Sequence, residues 1–182
     1  RLGTGALRAE VDRRVAAAAD ALGLPLIAVE ADLWDLGHRS GVPWPDYHGA
    51  ALATVAHLLA PRLRRVLVPA THTYGHLEGL GSHPLLDPLW SSGDLEVVHH
   101  GADATRADKL RRIAAEPAAR DHLRVCWENL AGTYNCGRCE KCVRTGTAVR
   151  VAGLEGRFPT IRPPSLAQVA RDMADETRCQ EA

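Results

Sequence analysis

An α/β layer fold with a mainly parallel sheet is the class this sequence predicts, and three observations predict it. Helix-like and strand-like segments alternate along the chain with short connections. One strand-like segment, residues 64–70 (RRVLVPA), is a near-continuous apolar run, the pattern of a strand covered on both faces. Chemistry-bearing residues recur just after the strand-like segments, where such sheets bind their ligands.

Each element has its own warrant. Residues 6–22 read as an amphipathic helix, because Leu7, Val11 and Val15 recur at helical spacing and Gly23 is a natural stop. Residues 24–33 (LPLIAVEADL) read as a short apolar strand, followed by a Gly-, Pro- and Trp-rich stretch over 37–45. A second helix is predicted over 46–60, then the strand at 64–70. Residues 71–93 show no periodicity, and a loop of that length inside a compact domain is usually functional. A third strand, 95–100 (LEVVHH), precedes a helix over 105–116, in which Thr105 and Asp108 resemble a capping box. A fourth strand, 122–127 (HLRVCW), carries Cys126 near its end, and residues 136–153 contain a fourth helix. A joint with Pro159, Pro163 and Pro164 leads to a last helix over 165–176. The expected division is a domain over 1–158, including a cysteine element at 126–142, and a C-terminal helix and tail over 159–182.

Composition bounds the function. With 182 residues and 46% apolar content, the chain is long enough to bury a core without staples. Its 22 basic residues balance 22 acidic ones, which argues against nucleic-acid and anionic-membrane partners. The sequence has no apolar run of membrane-spanning length and no charged-then-apolar signal segment. Self-association into a homodimer is compatible with all of this. Four of the five cysteines lie in residues 126–142, whereas a secreted disulfide framework would spread them. That clustering implies metal binding in a reducing compartment, with the cytoplasm expected.

The spacing is Cys126-x9-Cys136-x2-Cys139-x2-Cys142. Two residues between cysteines let the sulfurs converge on one ion in a tight turn, and Gly137 eases that turn. Four thiolates closing a tetrahedral shell describe a structural zinc site, and an iron–sulfur cluster is the competing occupant. Arg138, Lys141 and Arg144 offset the negative charge of such a centre or face a phosphate. Cys179, on the tail, is expected to be a free thiol.

The loop at 71–93 concentrates His72, Tyr74, His76, Glu78, His83, Asp87 and Trp90, a set of polar and aromatic groups suited to a substrate pocket. Histidines there suit acid–base work near neutral pH, and His83 with Asp87 also admits a metal. His99 and His100 end a strand and face opposite sides; His100 or Asp103 is placed to touch a ligand. Asp32 is expected to cap a turn, Trp34 to stack on a planar group, and His57 to pack inside its helix.

The segments ATRADKLRRIA and HLRVCWENLAGTYNCGRCEKC resemble the C-terminal half of the 7-cyano-7-deazaguanine synthase family. That family belongs to the PP-loop ATP pyrophosphatases of the adenine nucleotide alpha hydrolase superfamily. Thr105, Arg106, Ala107 and Asp108 match its first element conservatively; Cys126, Cys136, Gly137, Cys139 and Cys142 match its second closely. The resemblance covers residues 66–153. It implies a Rossmann-like, HUP-type sheet, zinc on the four cysteines, and ATP with magnesium in the intact enzyme. Two departures stand against it. THTYGHLEGLGSHPLLDPLWSS replaces the family's Ser-Tyr-Pro-Asp-type substrate segment, so the deazaguanine substrate is not carried over. The hallmark Ser-Gly-Gly-x-Asp-Ser loop, which cradles pyrophosphate, does not occur in these 182 residues, and RLGTG is no equivalent. Truncation is the simplest account, with the first strand and PP-loop preceding Arg1.

Three functional expectations follow. The first is the C-terminal part of an ATP-dependent ligase or amidotransferase-like enzyme that adenylates a small molecule, with zinc as frame and this chain alone inactive. The second is a non-catalytic zinc module contacting RNA or protein through Arg138, Lys141, Arg144 and Arg150. The third is an iron–sulfur PP-loop enzyme that thiolates tRNA.

Overall fold

The computed structural model describes residues 5–174. Cys179 and the last two residues of the expected final helix lie outside the described residues. The chain forms two compact units: one takes its described residues from 1–27 and 106–182, the other is Ala28–Thr105.

In the first unit, α1 (Ala6–Ala21) forms where Leu7 and Val11 share one face, and these two pack on Tyr134. The Tyr134 hydroxyl donates to the His122 carbonyl (2.7 Å), and the Arg14 guanidinium lies 4.7 Å from the ring centre. The expected helix over 105–116 forms as α4 (Arg106–Ile113), and a separate short helix outside the expected span, α5 (Pro117–His122), follows it. Pro117 occupies the first turn of α5, where its missing N–H costs nothing, and the Glu116 side chain accepts from Ala118 N–H at 3.2 Å. A 3-10 turn (Leu130–Gly132), α6 (Glu140–Val151) and α7 (Leu166–Ala174) complete this unit. Its core joins Leu110 of α4, Ala114 just after it, Val149 of α6, and Phe158 and Ile161 beyond α6. The boundary expected at 158 therefore falls inside a packed cluster.

The strand expected at 122–127 does not form. Its backbone groups bond a side chain instead: Asn135 Oδ1 accepts from Val125 N–H (2.9 Å) and Cys126 N–H (3.1 Å), while Asn135 Nδ2 donates to the Leu123 carbonyl at 3.0 Å.

In the second unit, α2 (Leu33–Arg39) and α3 (Trp44–Leu58) precede β1 (Arg65–Pro69), a 3-10 helix (Asp87–Trp90) and β2 (Glu96–His100). β1 and β2 pair in parallel, with Arg65 opposite Glu96 and Pro69 opposite His100. Val68, Leu95 and Val97 bury against Ala56 of α3. Among the described residues the sheet has these two strands alone. The expected strand at 24–33 is absent; residues 24–32 join no ladder, and Leu24, Leu26, Ile27 and Val29 stay exposed.

The two edges of the sheet differ. Ser91 Oγ accepts from Val97 N–H (2.9 Å), and the 3-10 helix packs on β2, so that edge is covered. On β1, Arg64 carbonyl and Ala70 N–H bond β2, so by alternation Arg65, Leu67 and Pro69 address the other edge. Leu67 is 54% exposed there. Beside it lies an apolar groove of about 480 Å³ lined by Val29, Trp34, Leu52, Val55, Val66 and Leu67, among others. No helix of the described residues is long and apolar enough to cross a membrane.

Candidate metal centre

The four cysteines gather as their spacing predicts. Gly137 takes φ +70°, the left-handed turn that lets the chain double back between Cys136 and Cys139. Cys139 is the N-cap of α6 and Cys142 lies in its first turn, so both sulfurs meet the positive end of the helix. Cys136 Sγ accepts N–H bonds from Arg138 (3.5 Å) and Cys139 (3.3 Å). Cys126 arrives from the segment after α5. The sulfurs of Cys136 and Cys142, and those of Cys139 and Cys126, stand 3.9 Å apart, and all four lie within 4.8 Å of one another. Four thiol sulfurs at these separations form a set that one metal ion can bridge.

The electrostatics favour a cation at the centre. Cys126, Cys139 and Cys142 are buried, and burial pushes the Cys139 and Cys142 thiols up. Burial is the largest single influence on Cys136 and works to raise it, but the N–H donors of Arg138 and Cys139 and the thiols of Cys126 and Cys139 together bring it down to about 7. A buried group of sulfurs carrying backbone N–H donors is prepared for thiolates, and neighbouring thiolates need a cation among them.

Sequence reasoning missed Asn135, which builds this centre. Its amide makes all four bonds it can form, the fourth to the Thr160 carbonyl at 3.0 Å. It ties the strand-like segment carrying Cys126 to the turn carrying Cys136, and both to the Pro-rich joint. The signal was its place directly before Cys136. Arg124 adds bonds to the Tyr134 carbonyl and to Asn129 Oδ1.

The cations near the centre are partly engaged. Arg144 pairs with Glu140 at 2.9 Å and Arg150 approaches Glu155 at 4.0 Å.

The loop at 71–93 does not bring its expected residues to one pocket. His72 and His76 meet Glu78. Asp87 is fully buried and takes the ring of His99 (Nδ1, 2.7 Å) as its histidine side-chain partner; Ser82 Oγ (2.8 Å) and the backbone N–H of His83 (3.2 Å) also donate to it. A buried carboxylate takes the donors that its fold surrounds it with, and the alternation of β2 turns His99 inward and leaves His100 exposed. His83 Nδ1 accepts from Leu85 N–H at 3.1 Å within its own turn. Tyr74, Trp90 and His100 are exposed. His57 does not pack; its Nε2 donates to the Trp90 carbonyl (2.7 Å), holding the loop's 3-10 helix to α3. Asp32 sits at the N-cap of α2 without a side-chain cap bond, and Trp34 stacks on His38 at 5.2 Å.

Comparisons with protein-family models, with curated proteins and with solved structures each returned no match to this chain.

Proposed function

We propose that this chain is the acceptor-substrate side of an ATP-dependent adenylating enzyme, framed by a structural zinc ion on Cys126, Cys136, Cys139 and Cys142. The observation that carries the first half is the open edge of β1. A parallel pair covered on one edge and bare on the other, beside an apolar groove, is an unusual end state, because parallel sheets are ordinarily buried. An additional strand bearing an anion-binding loop would complete the sheet, and the residues past the carboxyl end of β1 would then face it. In this reading ATP and magnesium, bound by that added polypeptide, activate an oxygen of a small acceptor molecule as an adenylate. The Rossmann-like topology and a cytoplasmic location belong to the same proposal.

The zinc half rests on distances. Four sulfurs about 2.3 Å from a tetrahedral ion lie about 3.8 Å apart; here the Cys136–Cys142 and Cys126–Cys139 pairs are 3.9 Å apart and the whole set lies within 4.8 Å. The thiolates of an iron–sulfur cluster bind different irons and diverge, so the compact set favours a single ion. With four protein ligands and no open position, the ion holds the Cys126 segment to α6 and does no chemistry.

The RNA- or protein-contacting module has less support, since Arg144 and Arg150 have acidic neighbours. The test is ATP–pyrophosphate exchange with the 182-residue chain and with the chain extended by its upstream coding sequence. Exchange only in the extended chain supports the proposal. An upstream sequence without a Ser-Gly-Gly-x-Asp-Ser loop, or exchange by the 182 residues alone, defeats it. Elemental analysis should find one zinc per chain in a colourless protein; a brown protein with visible absorbance would replace zinc with a cluster.

A further inference from the structure

We propose that His72, His76 and Glu78 form a second metal site, open to solvent, for a divalent transition-metal ion of the zinc type. It is independent of the cysteine centre and of the adenylation reading.

The site is built by a tight turn directly after β1. His76 N–H donates to the Thr73 carbonyl at 2.9 Å, and Thr73 and His76 form an isolated antiparallel bridge. This turn brings the His72 and His76 rings to 5.9 Å between centres. Glu78, two residues on, reaches back to both. Its Oε2 lies 3.7 Å from His72 Nε2 and its Oε1 lies 3.4 Å from His76 Nε2. Both imidazoles therefore approach through the same ring nitrogen, each toward a different carboxylate oxygen. Ligand atoms about 2.1 Å from a tetrahedral ion stand about 3.4 Å from one another. The separations of 3.4 and 3.7 Å, each to its own oxygen of Glu78, with ligand atoms of all three groups within 4.8 Å, suit a ligand set around one ion and exceed a direct charge-assisted hydrogen bond.

The turn is anchored on both sides. Tyr74 N–H donates to the Ala102 carbonyl (2.9 Å), past the end of β2. Gly81 N–H donates to the Pro45 carbonyl (2.7 Å), and a side chain at Gly81 would collide with the backbone of Asp46. The ligands thus stand on a loop held at both ends, at the carboxyl end of a parallel strand, where α/β sheets place their ligands.

Two imidazoles and one carboxylate select zinc-like ions over magnesium or calcium, which prefer all-oxygen shells. Three protein ligands leave a fourth position for water or a substrate oxygen, unlike the closed cysteine set. Exposure of the His76 side chain (76%) and of Glu78 (53%) keeps that position accessible.

The test uses the whole chain with its cysteine site loaded, dialysed against a zinc buffer and counted by elemental analysis. Two zinc ions per chain are expected. His76→Ala and Glu78→Gln should each hold one, with the second ion bound more than about tenfold more weakly and the circular dichroism unchanged. With cobalt, the second equivalent should add weak d–d absorption and no thiolate charge-transfer band. One ion per wild-type chain, or a second ion that survives both substitutions, overturns the proposal. A second ion lost in both variants, in a protein whose cobalt form shows no thiolate band at all, supports this site and overturns the cysteine reading instead.

Discussion

The cysteine cluster and the histidine-bearing loop both gather metal-ligating side chains, yet they are built in opposite ways. The cysteine sulfurs are mostly buried, fixed by Gly137, by the first turn of α6 and by the four bonds of Asn135. The ligands of the loop stand largely in solvent on one turn, and a buried polar contact joins Asp87, farther along the loop, to His99 of β2. Burial decides what each can do. An ion in the first place would tie the Cys126 segment to α6 and contribute to folding, while an ion in the second would be exchangeable and leave the fold indifferent.

The sharpest way to break that contrast is Cys139→Ser. It should abolish metal retention and cost more than about 4 kcal/mol in the unit built on α4 and α6, read by metal content and denaturant unfolding. A protein that keeps its midpoint would make the cysteines incidental. Next is Asp87→Ala, which strips the buried partner from His99, Ser82 and the His83 N–H. A loss of about 3 kcal/mol is expected, with the metal content of the cysteine site unchanged. Asn135→Ala should cost about 2–3 kcal/mol, because Val125 and Cys126 N–H groups lose their acceptor, and it should speed metal transfer to a chelator. Asn135→Asp keeps the acceptor and should recover part of that loss. The smallest effect is His76→Ala, expected to move the thermal midpoint by the equivalent of less than about 0.5 kcal/mol. A large shift there would mean the loop's ligands are structural after all.

Much of the first site was legible. The x2 spacings and Gly137 act within one turn, and such local geometry follows from residue order alone. α1, α3 and α6 were legible through apolar periodicity, and β1 and β2 through their apolar runs. The strands expected at 24–33 and 122–127 carry the same local signal and still form no ladder. Pairing is not set by local signal alone: the first segment forms no ladder although Val29 lines the groove beside β1, and the second meets the Asn135 amide. In the loop, residue types marked a polar region without saying which of them meet. His99 and His100 differ only by strand alternation, and choosing between them needed the position of Asp87, twelve residues away.

By itself, then, the sequence determined an alternating α/β chain with balanced charge and a four-cysteine element whose ligands lie close along the backbone. Only the tertiary structure decided that Asn135 would clamp Cys126 to residue 160, that Asp87 would choose His99, and that one edge of β1 would take no strand from the described residues. The physical reason is range. Turn chemistry and periodicity are settled within a few residues, whereas ladders, buried polar pairs and side-chain clamps join segments whose separation along the chain carries no local signal.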